Sequence, residues 1–138
     1  MRNRNGEIVT TAVTNMDIHD ISRSARTFGC RSFFIVTPIE EQQELVGRIL
    51  DHWQSPEVQK HHPDRVEAVS KVRRVVDFDE VKKAIHEETG EWPEVVMTDA
   101  SPFPKSISYS QYREEMMVPG RTRPVLIVFG TGWGISEA

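Results

Sequence analysis

The feature that most constrains the fold is a β-branched apolar run, residues 125–129, that leads directly into a glycine-rich loop. Glycine occupies every second position of that loop, at Gly130, Gly132 and Gly134. Glycine adopts backbone conformations that other residues avoid and lets a ligand approach the main chain closely. A buried strand ending in such a loop is typical of the carboxyl edge of an α/β sheet, where ligands bind. The pattern therefore predicts a ligand site at this loop.

Composition and charge limit the classes of protein to which the chain can belong. Its 138 residues, 38% hydrophobic and 28% charged, are typical of a single globular domain over residues 1–138. We expect no membrane partner, because no apolar run approaches the roughly 20 residues that span a bilayer. The lone Cys30 cannot form an internal disulfide, which favours a cytoplasmic location.

The net charge of −4 argues against nucleic-acid binding by bulk electrostatics. It does not exclude RNA contact through a local patch, and basic residues do cluster along the chain. Examples are Arg23 and Arg26 in one segment and Arg121 and Arg123 in another. Ordinary solvated surface is the alternative interpretation of these clusters.

Apolar periodicity predicts five strands that alternate with four helices. The strands are expected within residues 8–13, 32–36, 66–76, 94–98 and 125–129. Strands joined by helices favour a parallel arrangement with helices on both faces. The predicted fold class is therefore α/β, with a mostly parallel five-stranded sheet.

Capping patterns predict where the helices begin. Asp17, Thr37 and Asp77 are each expected to cap the start of a helix, with Pro38 in the first turn of the second one. Residues 55–64 contain two prolines and are expected to form a loop.

Two segments resemble motifs of the SPOUT, or α/β-knot, methyltransferases. Residues 17–29 are similar to the first motif of the ribose 2′-O branch, an asparagine-containing turn followed by an Ile-x-Arg-Thr-Ala helix and Phe-Gly. Residues 125–136 are similar to the second motif, a strand that ends in a glycine-rich loop. A small bacterial family described as S-adenosylmethionine-dependent RNA methyltransferases is a closer match. Its pattern Thr-Asn-x-Asp-x-His-Asp-Ile, then Phe-Gly-Thr-Gly-Trp-Gly, is reproduced by residues 14–21 and 129–134.

This resemblance implies candidate catalytic residues. Arg23 matches an arginine that lies near the reacting ribose hydroxyl in the ribose branch, whereas Asn15 and His19 are expected in the turn before the helix. An arginine beside a phosphate orients the RNA backbone, and a histidine can accept a proton or hold a phosphate. A surface arginine and an ordinary turn histidine are the alternatives for Arg23 and His19.

The resemblance also implies that S-adenosylmethionine is the cofactor, held mainly by backbone groups of loops at the strand ends. Backbone amides and carbonyls suit the edge of an adenine ring. The residues that match these cofactor-binding loops are Thr98, Asp99 and Ala100 in one loop, and Phe129, Gly130, Thr131, Gly132, Trp133 and Gly134 in the other. For the glycine-rich loop, the alternative is a tight turn that binds no ligand.

Members of the resembled family continue through a further helix and a Ser-rich third motif, which close the knot and supply much of the dimer interface. That segment does not follow the glycine loop in this sequence. The expected fold is therefore the Rossmann-like half of an α/β-knot fold, C-terminally incomplete, with a homodimer implied for the full-length family. No metal site is predicted, because the adjacent His61 and His62 cannot readily converge on one ion.

The sequence therefore predicts an enzyme that transfers a methyl group from S-adenosylmethionine to RNA, either tRNA or rRNA. Ribose 2′-oxygen is favoured over a base nitrogen as the acceptor because Arg23 matches the ribose branch. The alternative is a non-catalytic RNA- or protein-binding module with a degenerate cofactor pocket.

Overall fold

The computed structural model describes residues 13–130 together with residues 5, 7 and 135. Helices and strands alternate along these residues, which confirms the α/β class. Their order is α1 (Asn15–Thr27), β1 (Phe33–Val36), α2 (Glu40–Trp53), α3 (Pro56–His61), α4 (Pro63–Val69), β2 (Val72–Val75), α5 (Phe78–Thr89), β3 (Glu94–Met97), α6 (Tyr109–Met116) and β4 (Val125–Val128). The strand expected at residues 8–13 falls almost entirely outside the described residues.

The four described strands form two parallel two-stranded sheets, so the prediction of one five-stranded sheet was wrong. β1 pairs with β2, starting with Phe33 opposite Val72, and β3 pairs with β4, starting with Glu94 opposite Val125. Each pair is joined by a helical crossover, as parallel strands require. Apolar periodicity identifies strands but does not reveal which backbone ladder each one joins, and this explains the error.

Contacts between residues divide the chain into two compact units. The first comprises residues Thr10–Val81 and contains β1, β2 and helices α1 to α4; we call it the β1–β2 unit. The second comprises Met1–Val9 and Lys82–Ala138 and contains β3, α6 and β4; we call it the β3–β4 unit. Helix α5 begins in the first unit and ends in the second.

The β1–β2 unit is organised around a cluster of buried apolar side chains contributed by helices and strands. Helix α1 turns Ile18, Ser22 and Ala25 inward at steps of three and four residues, the pattern of an amphipathic helix. Burying such a face removes apolar surface from water and is the main force that holds the helix in place. The cluster consists of Ile18, Ile35, Val46, Leu50, Val69 and Val72.

A reciprocal capping box starts α1 three residues earlier than predicted. The Asp17 N–H donates to the Thr14 hydroxyl at 3.1 Å, and the Thr14 N–H donates to the Asp17 carboxylate at 3.1 Å. Asp17 is therefore the third residue of the helix and not its cap. As a consequence, Asn15 and His19 lie inside the helix and not in a preceding turn.

Helix α2 begins at Glu40, later than the capping pattern predicted. Thr37 does not cap it. Its N–H donates to the carbonyl of Val75 at 3.1 Å and so extends the pairing of β1 with β2. The third capping prediction is confirmed, because the Glu80 N–H donates to the Asp77 carboxylate at 2.9 Å.

The segment expected to be a loop, residues 55–64, contains helix α3 and the start of α4. Pro56 and Pro63 lie at the beginnings of these helices. Proline is well tolerated there because its missing N–H would have no partner within the helix. The two prolines that suggested a loop therefore begin helices.

No helix among the described residues combines the length and the apolar character needed to cross a membrane.

We expect Ile18→Ala to lower the free energy of unfolding by about 2 to 5 kcal/mol, because it removes a fully buried side chain and leaves a cavity. Urea unfolding measures the change. Met16→Ala is the matched control on the same helix, since that side chain is 74% exposed. It should change stability by no more than about 0.5 kcal/mol. Equal losses in the two variants would contradict the placement of Ile18 in the core.

Candidate functional site

The segments that follow β3 and β4 are neighbours, because the two strands are paired in parallel. The Thr98 N–H donates to the Val128 carbonyl at 3.0 Å, and the Thr98 hydroxyl donates to the same oxygen at 2.9 Å. These two bonds hold the loop after β3 beside the start of the loop after β4. The proximity expected of the two candidate cofactor segments is therefore present as far as Phe129 and Gly130.

The loop after β3 is shaped by its own side chains. The Asp99 carboxylate accepts from the Ser101 N–H at 2.7 Å, which is an Asx turn. Ala100 lies between them and is exposed, as are Phe129 and Gly130 in the neighbouring segment. Main chain with small or absent side chains is thus accessible at this edge. Four other predicted cofactor residues, Thr131, Gly132, Trp133 and Gly134, lie outside the described residues.

The corresponding edge of the other sheet is occupied by a side chain. The amide of Gln43 donates to the Thr37 carbonyl at 2.8 Å and to the Val75 carbonyl at 2.7 Å. The carbonyl groups at the ends of β1 and β2 are therefore satisfied within the protein. Of the two described sheets, the β3–β4 sheet is the one whose strands lead into small exposed residues, Ala100 and Gly130.

The arginines near β4 support the β3–β4 unit. Arg121 forms an ion pair with Glu94, whose carboxylate also accepts from the Tyr112 hydroxyl at 3.2 Å. Arg123 donates to the carbonyls of Trp92 at 3.1 Å and Pro93 at 3.2 Å. These contacts tie the segment before β4 to the start of β3. This basic cluster therefore has a structural role.

The three candidate catalytic residues lie along one side of α1. Asn15, His19 and Arg23 are spaced four residues apart, so their side chains emerge from successive turns of the helix. Asn15 and Arg23 are exposed, and His19 is half-buried at the margin of the face that carries Ile18. The structure therefore brings these three residues together within the β1–β2 unit.

His19 lies in an environment that favours the neutral imidazole. Its ring meets the ring of Trp53 edge-on, with 4.9 Å between centroids. Burial lowers the pKa of His19 below its ordinary value of about 6.5, and the positive charge of Arg65 acts in the same direction. Arg23 adds to this effect, while Asp20 opposes it. A neutral imidazole at physiological pH is able to accept a proton.

Two arginines of α1 have different surroundings. Arg26 donates to Glu67 at 2.8 Å and to Asp64 at 3.3 Å, and so links α1 to α4. Arg23 makes no ion pair with any residue that the structure describes. It lines an open surface groove of about 340 Å³ together with Phe28, a side chain that is 83% exposed. Arg23 is therefore available to a ligand, and Arg26 is not.

Some features of the site were missed by sequence reasoning. Trp53 was expected only in the apolar stripe of its helix, whereas it also contacts His19, His52 and His62. Arg65 was not singled out at all, although its guanidinium lies over the Trp53 ring. The only sequence signal for these contacts was the presence of three histidines within residues 52–62. Periodicity does not show which of these histidines contact Trp53.

No group of three or more histidine, cysteine, aspartate or glutamate side chains within the described part of the chain is arranged to hold a metal ion.

Residues 1–138 match the model of a family described as SAM-dependent RNA methyltransferase, where SAM denotes S-adenosylmethionine. The chain therefore belongs to this family of S-adenosylmethionine-dependent RNA methyltransferases. This confirms the resemblance noted in the two sequence motifs.

Three relatives illustrate the similarity. A protein of Aquifex aeolicus (strain VF5), named only as an uncharacterized protein, is 42% identical over 132 residues, which cover 96% of this chain and 63% of the relative. A protein of Nitratidesulfovibrio vulgaris named tRNA (guanine-N(1)-)-methyltransferase is 37% identical, with coverage of 91% and 28%. A protein of the same name from Oleidesulfovibrio alaskensis is 35% identical, with coverage of 97% and 30%. The chain thus spans less than two thirds of each of these relatives.

We expect stability to fall as the pH drops below about 6.5, in part because of His19. Its folded-state pKa is lowered, so the unfolded chain takes up the proton first and protonation favours unfolding. The contribution of the neutral imidazole is complete above about pH 6.5 and is lost as the pH falls through the folded-state pKa.

His19→Gln should therefore make the loss of unfolding free energy between about pH 7.5 and pH 5.5 shallower. Urea unfolding at each pH measures it. The same substitution at the exposed His61 controls for the change of residue type. An unchanged pH dependence in His19→Gln would contradict the lowered pKa.

Proposed function

We propose that this protein takes part in RNA methylation, transferring a methyl group from S-adenosylmethionine to tRNA or rRNA in the cytoplasm. Membership of the family supports the reaction class. The single observation that carries the assignment of a site is the pairing of β3 with β4. It holds the loop after Thr98 beside Phe129 and Gly130.

The residues at this edge fit the cofactor chemically. S-adenosylmethionine supplies a methyl group on a positively charged sulfur. Main-chain groups at Asp99, Ala100, Phe129 and Gly130 are the candidates to bind its nucleoside, because they are exposed and lie at the ends of parallel strands. Thr98 has a supporting role, since both its N–H and its hydroxyl already bond to Val128.

Ribose 2′-oxygen is the acceptor that we favour. The guanidinium of Arg23 is available to hold an RNA phosphate and so to orient the neighbouring ribose. Burial and the positive charges of Arg65 and Arg23 lower the pKa of His19, which favours the neutral form that can take the proton lost by the hydroxyl. Asn15, one turn before His19 on the same side of α1, adds an amide that can bind either the sugar or the phosphate.

Guanine N1 is the second candidate for the acceptor, favoured by the names of two relatives. The matched segment is 28% and 30% of those relatives, so their names describe proteins much longer than this chain. The non-enzymatic candidate is an RNA- or protein-binding module with a degenerate cofactor pocket, because the chain matches only part of the relatives that are named as enzymes. A homodimer would agree with the full-length family that the motifs resemble.

Nucleoside analysis of tRNA and rRNA incubated with the protein and cofactor distinguishes the acceptors. Mass spectrometry of the digested RNA should reveal a 2′-O-methylated nucleoside. Formation of 1-methylguanosine would instead establish the base nitrogen as the acceptor. The absence of any new methyl group, in a protein that still binds RNA, would favour the binding module.

We expect S-adenosylmethionine to bind with micromolar affinity in a calorimetric titration, and Gly130→Val to weaken that binding at least about tenfold. A branched side chain at residue 130 would obstruct the approach to the main chain. Lys105→Val is the control, because this residue is also exposed in the segment between β3 and α6. Unaltered binding by Gly130→Val, or no binding by the unmodified protein at millimolar cofactor, would contradict the site.

Arg23→Ala should leave cofactor binding nearly intact while lowering methyl transfer about 10²- to 10⁴-fold, because the arginine acts on the RNA and not on the cofactor. Transfer of a radioactive methyl group to RNA measures the rate. Arg26→Ala is the matched control on the same helix. It loses only solvent-exposed ion pairs, which contribute little to stability, and should retain activity. Parallel loss of cofactor binding and transfer in Arg23→Ala would place Arg23 in folding instead.

A further inference from the structure

Trp53, the last residue of α2, is surrounded by imidazole rings from separate parts of the β1–β2 unit. The ring centroids of His19, His52 and His62 lie 4.9, 5.6 and 6.2 Å from that of Trp53, and all three rings meet it edge-on. Trp53 also packs against the buried core of the unit. Its indole is therefore a fixed platform at the margin of the core.

Arg65 of α4 places its guanidinium over this platform. The guanidinium carbon lies 5.5 Å from the centre of the Trp53 ring, within the range of a cation–π interaction. The Arg65 guanidinium makes no hydrogen bond to any residue that the structure describes, so its N–H donors stay available. The adjacent carboxylate, Asp64, is directed to Arg26 at 3.3 Å. Among the described residues, Arg65 has no ion-pair partner.

Cationic and neutral groups are combined around this arginine. Arg65 and His62 are exposed. His19 carries a buried Nδ1 that has no hydrogen-bond partner in the described part of the chain. The positive charges of both Arg65 on α4 and Arg23 on α1 act electrostatically on His19. Asp20 is the acidic group that opposes them at His19.

We propose that Arg65, held on the face of Trp53 and assisted by His62, binds a phosphate of the RNA backbone. A planar guanidinium matches two phosphate oxygens at once, and charge-assisted bonds of this kind are stronger than neutral ones. The site lies within the β1–β2 unit. It extends the RNA-binding surface from Arg23 on α1 to α4, and it rests on the proposed function only in taking RNA as the ligand.

The test is a fluorescence-anisotropy titration of labelled tRNA with the full chain over a series of salt concentrations. Arg65→Gln should weaken binding about three- to tenfold and reduce the slope of log affinity against log salt by about one, as expected for the loss of one phosphate contact. Arg113→Gln is the matched control, since this exposed arginine of α6 undergoes the same change in charge. It should leave affinity within about twofold and the slope unchanged.

Two further variants separate positioning from charge. Arg65→Lys keeps the charge but loses the planar fork, so the salt slope should be retained while affinity recovers only in part. Trp53→Phe weakens the cation–π contact and should lower RNA affinity when Arg65 is present but have little further effect in Arg65→Gln. Independent, additive effects of Trp53→Phe and Arg65→Gln would overturn the platform role.

Equal weakening of RNA binding by Arg65→Gln and Arg113→Gln would indicate bulk electrostatics and overturn the site. Wild-type affinity and salt slope in Arg65→Gln would also overturn it.

A free phosphate ligand is tested by adding millimolar inorganic phosphate at constant ionic strength. Competition with phosphate in the unmodified protein, combined with RNA binding that is independent of Arg65, would overturn the RNA assignment. Methyl transfer is measured separately. If Arg65→Gln weakens RNA binding but the protein does not methylate RNA, the proposed function is contradicted and the phosphate site is retained. If the protein methylates RNA but Arg65→Gln binds RNA normally, the phosphate site is contradicted and the proposed function is retained.

Discussion

The parallel pairing of β3 with β4 is the constraint on which the cofactor assignment depends. Parallel strands place their carboxyl ends at the same edge, so two loops separated by a helix in the sequence become neighbours in space. Thr98 reinforces this arrangement with two hydrogen bonds to one carbonyl of β4. The other sheet has the same topology, yet Gln43 satisfies its terminal carbonyls from within. The two sheets therefore differ in what the structure places at their carboxyl edges, a glutamine side chain at one and the exposed Ala100 and Gly130 at the other.

Helix α1 combines structural and functional roles through its periodicity. One face buries Ile18 in the core, and the neighbouring side presents Asn15, His19 and Arg23 at intervals of four residues. Because His19 lies at the boundary between these faces, burial and the positive charges of Arg65 and Arg23 lower the pKa of its imidazole. An exposed position on the same helix would lack the desolvation that produces this effect. The position of the residue on the helix thus decides its chemistry.

Sequence reasoning succeeded where the signal was local or followed from strand direction. It identified most of the described helices and strands, the parallel orientation and the neighbouring cofactor segments, since these follow from periodicity and from the crossovers between strands. It failed at helix starts, where Asp17 and Thr37 each had two plausible roles, and at residues 55–64, where Pro56 and Pro63 begin helices. It also failed in assembling the strands into one sheet, because ladder partners depend on contacts distant in sequence. The catalytic and cofactor roles of the individual residues stay predictions.

The sequence by itself determined the family and the α/β class, because motifs and periodicity are properties of neighbouring positions. The residues that a ligand would meet are its prediction. Only the tertiary structure decided which charged side chains are available to a ligand. It pairs Arg26 with α4, leaves Arg23 beside an open groove and sets Arg65 on Trp53. The physical reason is that charge, burial and hydrogen bonding at a side chain are fixed by groups that folding brings together from distant parts of the chain.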